Sequence, residues 1–582
     1  MFLSPSQRYR IGRIILWLAL GIIIIVVPVV GSFVRLGRVG IYRYYHAEIQ
    51  LVRKLSNIFF LPVYFLPSQL ESYDLKISVN HWYALNHNLP AGYADNLLGE
   101  QYKKTEKAVF TATGYEATTT KVRYRGGTDN HWRDAKKSWL IKFPDDDYFD
   151  GYQKIALIIP DDRKYFVEEI SNFRAKKLGL PAPQTKFVNF FVNGARQGVY
   201  WQVEDFNADL LERQGIDGQV NFYTGVDTVD FPARLTDYFD STDAWSKISQ
   251  DPSRDATNKS DLQALLDAVN NLSDKDFAAT IPQLVDMDSF YRWQILQVLN
   301  TSSHATGPNI RMYFDSKLKK FVFFPWDVSL SVTPPALLEY KSNKLTNRIL
   351  ANPEFLQQRN EVLWDYLDNN NNLTDDLAEY DRLDNLTRID FLKDWLKVDS
   401  DWRYLGYIKM YRAELRDKIA FLKNNFKNAT ASITTGYTPG QLQISLDLGT
   451  SGFSSVRLDK LTVNLLDSCV AHLKLVADSN NDGLYDAGDK VVKNMDCSQG
   501  SYTIKPDLLI LAARDMSDAL YMKPKYSSRK VWLVADNSAV WQRIYQPSGT
   551  VSPNITAALG NILSVEFSNA FTSKKISSVN LQ

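Results

Sequence analysis

Asn309-Ile-Arg-Met-Tyr-Phe-Asp-Ser-Lys-Leu-Lys-Lys-Phe-Val-Phe-Phe-Pro-Trp-Asp327 is the stretch around which the rest of the chain is read. Two runs of aromatic and β-branched residues, Ile310–Phe314 and Phe321–Phe324, flank a polar break, Asp315–Lys319, the pattern of a β-hairpin. A hairpin centred near Lys317–Leu318 sets Asn309 beside Trp326 and Asp327. An amide and a carboxylate at adjoining strand ends are suitable oxygen ligands for Mg²⁺. An ordinary hairpin with a solvated Asp327 is the competing reading.

Outward from this stretch, 582 residues are more than one core usually serves, so two or more domains are expected. A 45% hydrophobic and 23% charged composition argues against extensive disorder. Net charge is +1, from 67 basic and 66 acidic residues, with no basic stripe of the kind a nucleic-acid partner requires. Two cysteines, Cys469 and Cys497, exclude a disulfide-stapled framework and allow one bridge.

A basic segment, 1–13, precedes Ile14–Val34, which carries no charge and is long enough to span a bilayer. A cleaved signal peptide would want a shorter apolar core and a small-residue cleavage site. The expectation is a single transmembrane helix over 14–34, followed by a stalk over 35–72. Short strands follow from Tyr73: Tyr73–Val79, Lys107–Ala112, Glu116–Tyr124 and Ser138–Phe143. Between the last two, Gly126-Gly127 opens a turn whose amides can approach an anion, with Arg125, Lys136 and Lys137 adding charge.

Tyr165–Leu178 reads as an amphipathic helix ended by Gly179 and Pro181. The Asn193-Gly194 turn joins Lys186–Val192 to Gly198–Val203 as a hairpin, with Glu204 and Asp205 at its end. Thr242–Asp274 reads as helical. A helix capped by Asp288 carries Tyr291, Ile295, Val298 and Leu299 on one face and ends at Asn300. Helices at Phe355–Leu367 and Tyr404–Phe426 are separated by a loop at Asp368–Asn372. A linker is expected over 431–441, then an all-β sandwich over 442–582.

That last domain contains Asp478-Ser-Asn-Asn-Asp-Gly-Leu-Tyr-Asp-Ala-Gly-Asp489. Asp478, Asn480, Asp482, Asp486 and Asp489 fall at positions 1, 3, 5, 9 and 12 of a calcium loop, with Gly483 at 6 and the Leu484 carbonyl at 7. Flanking strands make it a calcium loop on a β-domain; a plain Asp/Asn-rich turn is the alternative. Cys469 and Cys497 bracket the loop, and a bridge there would contribute about 3–4 kcal/mol; two buried thiols are the other reading. Calcium and a disulfide together suit an oxidising, extracytoplasmic space, which puts 1–13 inside and the bulk outside.

The six histidines form no His-x-x-x-His pair, and neither a Gly-x-Ser-x-Gly elbow nor a Walker-type loop is present. A converging pair of glycosidase carboxylates stays open.

Four blocks in order resemble the spore-coat protein H (CotH) kinase-like family. They are Val122-Arg-Tyr-Arg-Gly-Gly with Lys136-Lys-Ser-Trp-Leu-Ile-Lys142, Ser171-Asn-Phe-Arg-Ala-Lys-Lys-Leu-Gly-Leu-Pro181, Val192-Asn-Gly-Ala-Arg-Gln-Gly-Val-Tyr-Trp-Gln-Val-Glu204, and Asn309 through Pro325-Trp-Asp327. The resemblance covers roughly Tyr73–Lys427, within a domain bounded at 73–430. It implies an α+β, atypical protein-kinase-like core transferring phosphate from ATP, with Mg²⁺ or Mn²⁺, to a protein or cell-surface acceptor. It further implies that Gly126-Gly127 covers the phosphates, that Lys137 or Lys136 contacts them, and that Glu204 orients the lysine or binds metal. Asp327 and Asn309 would hold Mg²⁺, as a hairpin-linked Asn and Asp do in protein kinases. Two positions depart from the pattern. His304 stands where kinases place the catalytic Asp, and Ser329 where the family often carries a second acid. His304 can serve as a base when neutral; a non-catalytic envelope or adhesion scaffold is the alternative function.

Overall fold

Every second residue of β2 (Glu106–Ala112) and β3 (Thr118–Tyr124) turns inward, burying Ala108, Phe110, Ala112, Val122 and Tyr124. In the computed structural model of the protein these strands belong to a closed seven-stranded barrel with β1 (Ser72–Lys76), β4 (Trp139–Lys142), β5 (Lys154–Ile158), β6 (Thr185–Val192) and β7 (Ala195–Glu204). The order is β1-β2-β3-β4-β5-β7-β6, closed by parallel pairing of β1 with β6. Edge-to-face rings fill the interior, Phe110 lying 5.2 Å from Tyr73 and 5.1 Å from Phe143. Asn193 and Gly194 both take positive φ, 51° and 76°, as a tight hairpin turn demands.

The structure describes residues 54–90, 98–216, 220–226, 237–248, 257–305, 307–328, 339–437, 441–464, 472–479, 483–538, 540–541, 563–576 and 579–581. The expected transmembrane stretch, Ile14–Val34, lies outside these residues, as do Ser329, Cys469, Asn480 and Asp482. Among the described residues no helix is long and apolar enough to cross a membrane.

Against the barrel lies a helical layer built mainly from Met287–Asn300, Pro353–Asp368, Asn370–Leu392 and Asp401–Lys427. The helix Val167–Lys177 connects the two layers: Ile170 packs beside Phe187 and Trp201 of the barrel and Tyr380 of the helical layer. The Asn309–Asp327 stretch forms its hairpin, β10 (Arg311–Asp315) with β11 (Lys320–Phe324), Arg311 opposite Phe324 and Asp315 opposite Lys320. Two further strands, β8 (Asn221–Gly225) and β9 (Trp245–Ile248), widen it to the order β11-β10-β8-β9.

Four segments differ from the sequence expectation. Thr242–Asp274 is not helical throughout: Trp245–Ile248 is the strand β9, because the Trp245 ring is buried and its Nε1 donates to the Tyr238 carbonyl at 2.8 Å. Asp368–Asn372 is a one-residue break rather than a loop, Asn369 accepting from Asn371 N to cap the next helix. The last part of the expected stalk is packed on the helical layer. Leu55–Phe65 is a 3-10 helix, Lys54 Nζ donates to the Trp395 carbonyl at 2.8 Å, and Ser68 Oγ donates to Asp390 Oδ1 at 2.6 Å.

The expected linker is likewise a strand over its first part. Residues Ala429–Tyr437 form β12, which buries Ala431 and Ile433 and pairs along its length with β13 (Gln443–Gly452). It opens a ten-stranded C-terminal sheet that folds over one core, with Ile433, Leu446 and Leu448 sharing it with Leu461, Val463 and Phe567. This β-rich unit is joined to the helical layer by a buried triad. Glu339 meets Arg359 at 2.7 Å and Arg514 at 3.6 Å, all three side chains at most 1% exposed.

Candidate active site

Asp327 leaves β11 two residues past Pro325 with φ at +54°, in the left-handed region that non-glycine residues rarely adopt. Val328, the next residue, is pinned: Ser171 Oγ donates to its carbonyl at 2.7 Å. Ser171 stands on the helix Val167–Lys177, and Asn300 Nδ2 donates to its hydroxyl oxygen. Arg174, on the same helix, donates to Asn300 Oδ1 at 2.5 Å and pairs with buried Asp376 at 2.8 Å. The Ser171-Asn-Phe-Arg block thus holds the residue after Asp327 in place.

His304 comes back to the same point, its Nδ1 lying 3.4 Å from Asp327 Oδ1 and 3.2 Å from the Asp327 carbonyl oxygen. Its imidazole is open to solvent on one side. The protein packed around the other side, and then the Arg163 guanidinium, lower its pKa from the ordinary histidine value, which favours the neutral ring. Asn309 ends the short turn Gly307–Asn309 and is half-buried, two residues before Arg311.

Arg163 is the residue that sequence reasoning missed. It closes the 3-10 turn Pro160–Arg163, followed by Lys164 and Tyr165 at φ +48° and +62°. That turn directs its guanidinium onto the Asp327 carboxylate, with Glu168 and Asp162 each 3.1 Å from its Nε. Burial raises the Glu168 pKa despite Arg163, whereas at Asp162 the same burial is outweighed by Arg163 and His131. Four consecutive charges, Asp161–Lys164, between apolar Leu157–Ile159 and Phe166–Val167 were the available signal.

The glycine turn joins this cluster through His131. Gly126 has φ +100°, and a Cβ there would lie 2.3 Å from the His131 ring, so only glycine fits. Gly127 accepts at its carbonyl from Leu98 N at 2.6 Å. His131 Nδ1 is 3.0 Å from Ser138 Oγ, and its Nε2 is 3.5 Å from Asp162 Oδ2. Burial drops its pKa to about 4, leaving a neutral ring at pH 7. Arg125 and Arg311 flank the cluster. Burial, then repulsion from Arg163, lowers Arg125 to about 10; burial and Arg125 lower Arg311 to about 9. Arg311 also stacks over the Phe206 and Trp326 rings at 5.1 and 5.3 Å.

The structure separates the remaining expected residues from this cluster. Lys136 is buried against Asp394, its Nζ also donating to the Val199 carbonyl at 2.7 Å. Asp394 approaches so closely that a Cβ on Gly198 would lie 2.2 Å from its carboxylate. Lys137 turns the other way, donating to the Asp134 carbonyl at 2.5 Å and lying over the Tyr124 ring at 5.6 Å. Burial lowers it to about 8. Glu204 orients neither lysine: it pairs with Arg213 and accepts from Gln184 N at 3.1 Å. A lysine–Glu204 contact is therefore replaced by two separate ion pairs, because β7 aims Glu204 at Arg213.

Chemically, the cluster sets three guanidiniums suited to phosphate beside the carboxylates of Asp327, Glu168 and Asp162, with an imidazole at the edge. Asp327 Oδ1 and Glu168 Oε2 are buried and both face the Arg163 guanidinium, so a metal cation entering there would compete with Arg163 for them. Among the described residues no three His, Cys, Asp or Glu side chains converge tightly enough to hold a metal ion unaided. Mg²⁺ does not need three, since it commonly takes one or two carboxylates plus phosphate oxygens and water.

Residues 122–398 match the family model described as CotH kinase protein. The matched region is thus CotH kinase-like. The inner spore coat protein H of Bacillus subtilis (strain 168) is 24% identical over 255 residues, 42% of this chain and 69% of that protein. Among solved structures, the Helicobacter pylori proinflammatory kinase CtkA is 15% identical with a TM-score of 0.21, over 49% of this chain and 93% of that one.

In the β-rich unit, part of the calcium loop is described. Asp478 is buried, its Oδ2 accepting from Gly483 N at 2.9 Å and its Oδ1 taking no hydrogen bond among the described residues. Asp489 accepts from Ser479 N at 3.1 Å and Asp486 N at 2.9 Å, and Lys530 Nζ donates to the Gly483 carbonyl at 2.9 Å. Leu484 is exposed, and Asn480 and Asp482 lie outside the described residues. Cys497 is disulfide-bonded, and the sequence holds one other cysteine, Cys469.

Proposed function

We propose that this protein is a membrane-anchored, extracytoplasmic CotH-like kinase that transfers the terminal phosphoryl group of ATP to a protein or cell-surface acceptor. The observation that carries the reading is the placement of His304 Nδ1 3.4 Å from Asp327 Oδ1, beside Arg163. Asp327, with Asn309 or Glu168, would hold Mg²⁺ or Mn²⁺, which neutralises the β- and γ-oxygens when bound. Arg125 and Arg311 would take the phosphate oxygens that the metal does not hold. Neutral His304 would accept the proton of the acceptor hydroxyl; positioning and electrostatics supply most of the acceleration in this chemistry.

One observation favours a second reading, a non-catalytic nucleotide-binding scaffold. The Arg163 guanidinium already neutralises Asp327, so a metal must displace it. Binding of ATP with Mg²⁺ or Mn²⁺, followed by transfer of labelled γ-phosphate to a mixed protein acceptor, separates the two. Wild type should bind and transfer; Asp327→Asn should do neither while keeping its fold. Binding without transfer selects the scaffold, and no nucleotide binding with any divalent metal removes both.

Support for the location comes from the uncharged Ile14–Val34 run and from the disulfide at Cys497. Structural calcium on the β-rich unit, bound through Asp478, Asn480, Asp482, Asp486, Asp489 and the Leu484 carbonyl, belongs to the same proposal. The buried Asp478 Oδ1, which accepts no hydrogen bond among the described residues, is the feature that fits a cation there.

A further inference from the structure

The 3-10 helix Leu55–Phe65 reads Leu-Ser-Asn-Ile-Phe-Phe-Leu-Pro-Val-Tyr-Phe; Phe60 and Val63 pack on the core, but most of its other apolar side chains stay exposed. Phe65 is 90% exposed and Phe59 73%, with Leu55 and Ile58 also open. Two tryptophans of the helical layer extend the same surface. Phe60 packs edge-on to Trp402 at 5.0 Å, and Lys54 holds the Trp395 carbonyl; Trp402 is 58% exposed. Asn57 Oδ1 accepts from Asp401 N at 2.8 Å, so the segment is fixed on the helical layer rather than hanging from it. A contiguous exposed apolar patch of this kind marks an interaction surface.

We infer that this face, Leu55–Phe65 with Trp395 and Trp402, lies in the interfacial zone of a lipid bilayer. Tryptophan and phenylalanine beside open aliphatic side chains suit the boundary between headgroups and acyl chains, where an indole keeps its N–H wet and its ring dry. The chain's position supports a bilayer over a protein partner. Only the 20 residues 35–54 separate the uncharged Ile14–Val34 run from Leu55. Fully extended, that tether spans at most about 70 Å, so the patch stays close to any membrane the run enters. The choice of a bilayer over a protein draws on the proposed anchor and not on kinase activity. Docking through this face would fix the orientation of the barrel and helical layer above the bilayer, restricting acceptors to those within reach of the membrane surface.

The test uses the full chain in nanodiscs of phosphatidylcholine and phosphatidylglycerol. A photoreactive p-benzoylphenylalanine replaces Phe59, Phe65 or Trp402 in turn, and Tyr526, exposed on the β-rich unit, serves as control. After irradiation, mass spectrometry should find lipid adducts at all three sites well above the level at Tyr526. Adducts to another protein, to a second copy or to the chain's own residues in place of lipid overturn the inference, as does a lipid signal no greater than the control. Alkaline carbonate extraction, run in parallel, isolates the anchor. Retention without lipid adducts rejects the docking face and leaves the anchor. Release rejects the anchor, while adducts formed before extraction keep the face.

Discussion

Arg163 sets its guanidinium on the Asp327 carboxylate, joining two residues 164 positions apart in the sequence at the centre of the candidate site. Arg163 also meets Glu168 and Asp162, so three carboxylates share this one guanidinium. Divalent metal and Arg163 compete for Asp327, and phosphate oxygens would give the displaced guanidinium a new partner.

Arg163→Gln should therefore tighten Mn²⁺ binding in the absence of nucleotide by about tenfold or more, corresponding to about 1.4 kcal/mol. The same variant should melt lower than wild type without metal, because Glu168 and Asp327 lose their counter-charge, and Mn²⁺ should recover the difference. Calorimetric titration with Mn²⁺ and a thermal scan read both effects. Unchanged Mn²⁺ affinity would mean that Arg163 does not occupy the metal position.

His304 gives a kinetic prediction. Its pKa lies below the ordinary histidine value, and a base works only when neutral, so phosphoryl transfer should hold as pH falls past 6.5 and decline at lower pH. His304→Ala should slow transfer by roughly 10²–10⁴-fold with nucleotide affinity little changed. A pH–rate profile of the variant parallel to wild type would remove His304 as the base.

The sequence made the hairpin legible because aromatic and β-branched runs around Asp315–Lys319 satisfy strand propensity and turn chemistry together. Gly126, Asn193-Gly194 and Asp327 were legible for related local reasons. Arg163 was not: its role depends on Asp327 arriving from a distant strand, and no local pattern encodes that approach. The Lys136/Lys137 ambiguity has the same origin. Lys136 and Lys137 lie in an irregular segment before β4, where no sequence period assigns a direction, so only the fold decides that Lys136 meets Asp394 while Lys137 lies over Tyr124. Strand β12 was hidden by its composition. Thr434-Thr-Gly-Tyr-Thr-Pro-Gly440 reads as a turn-rich linker, yet pairing of Ala429–Tyr437 with β13 and burial of Ile433 make the first part of the expected linker a strand.

Lys136 and Asp394 should prove structural. Both side chains are almost wholly buried, at 2% and 0% exposure, and Lys136→Met strands the Asp394 carboxylate in the interior. Burial alone would push that carboxyl up, and Lys136 with Lys397 holds it below its ordinary value. The cost should be about 3–5 kcal/mol in urea unfolding. Lys137→Met, which leaves no carboxylate unpaired, should cost far less. Equal losses would argue against the burial account.

Calcium should raise the melting temperature of the full chain by binding the native state alone. Asp478→Asn keeps the side chain's shape and its contact to Gly483 N but lowers the charge at the first loop position, so most of that gain should disappear. An identical calcium response in the variant would exclude the loop as the site.

His131 gives the last prediction, a pH-dependent stability with a defined sign. Its folded-state pKa is about 4, below the ordinary 6.5, because the ring is buried under Gly126 and the nearby Asp162 only partly offsets the cost of charging it. Between these values the unfolded chain binds a proton that the folded chain refuses, so stability rises with pH across that window. The contribution is complete above about pH 6.5 and is lost as pH falls through about 4, amounting to roughly 3 kcal/mol across the window. His131→Gln, which cannot titrate there, should lose this dependence. The difference in urea unfolding free energy between wild type and variant, followed from pH 7.5 to 4.5, cancels groups common to both and isolates the imidazole. A constant difference would show that His131 titrates normally and that the packing beneath the glycine turn is looser than the structure has it.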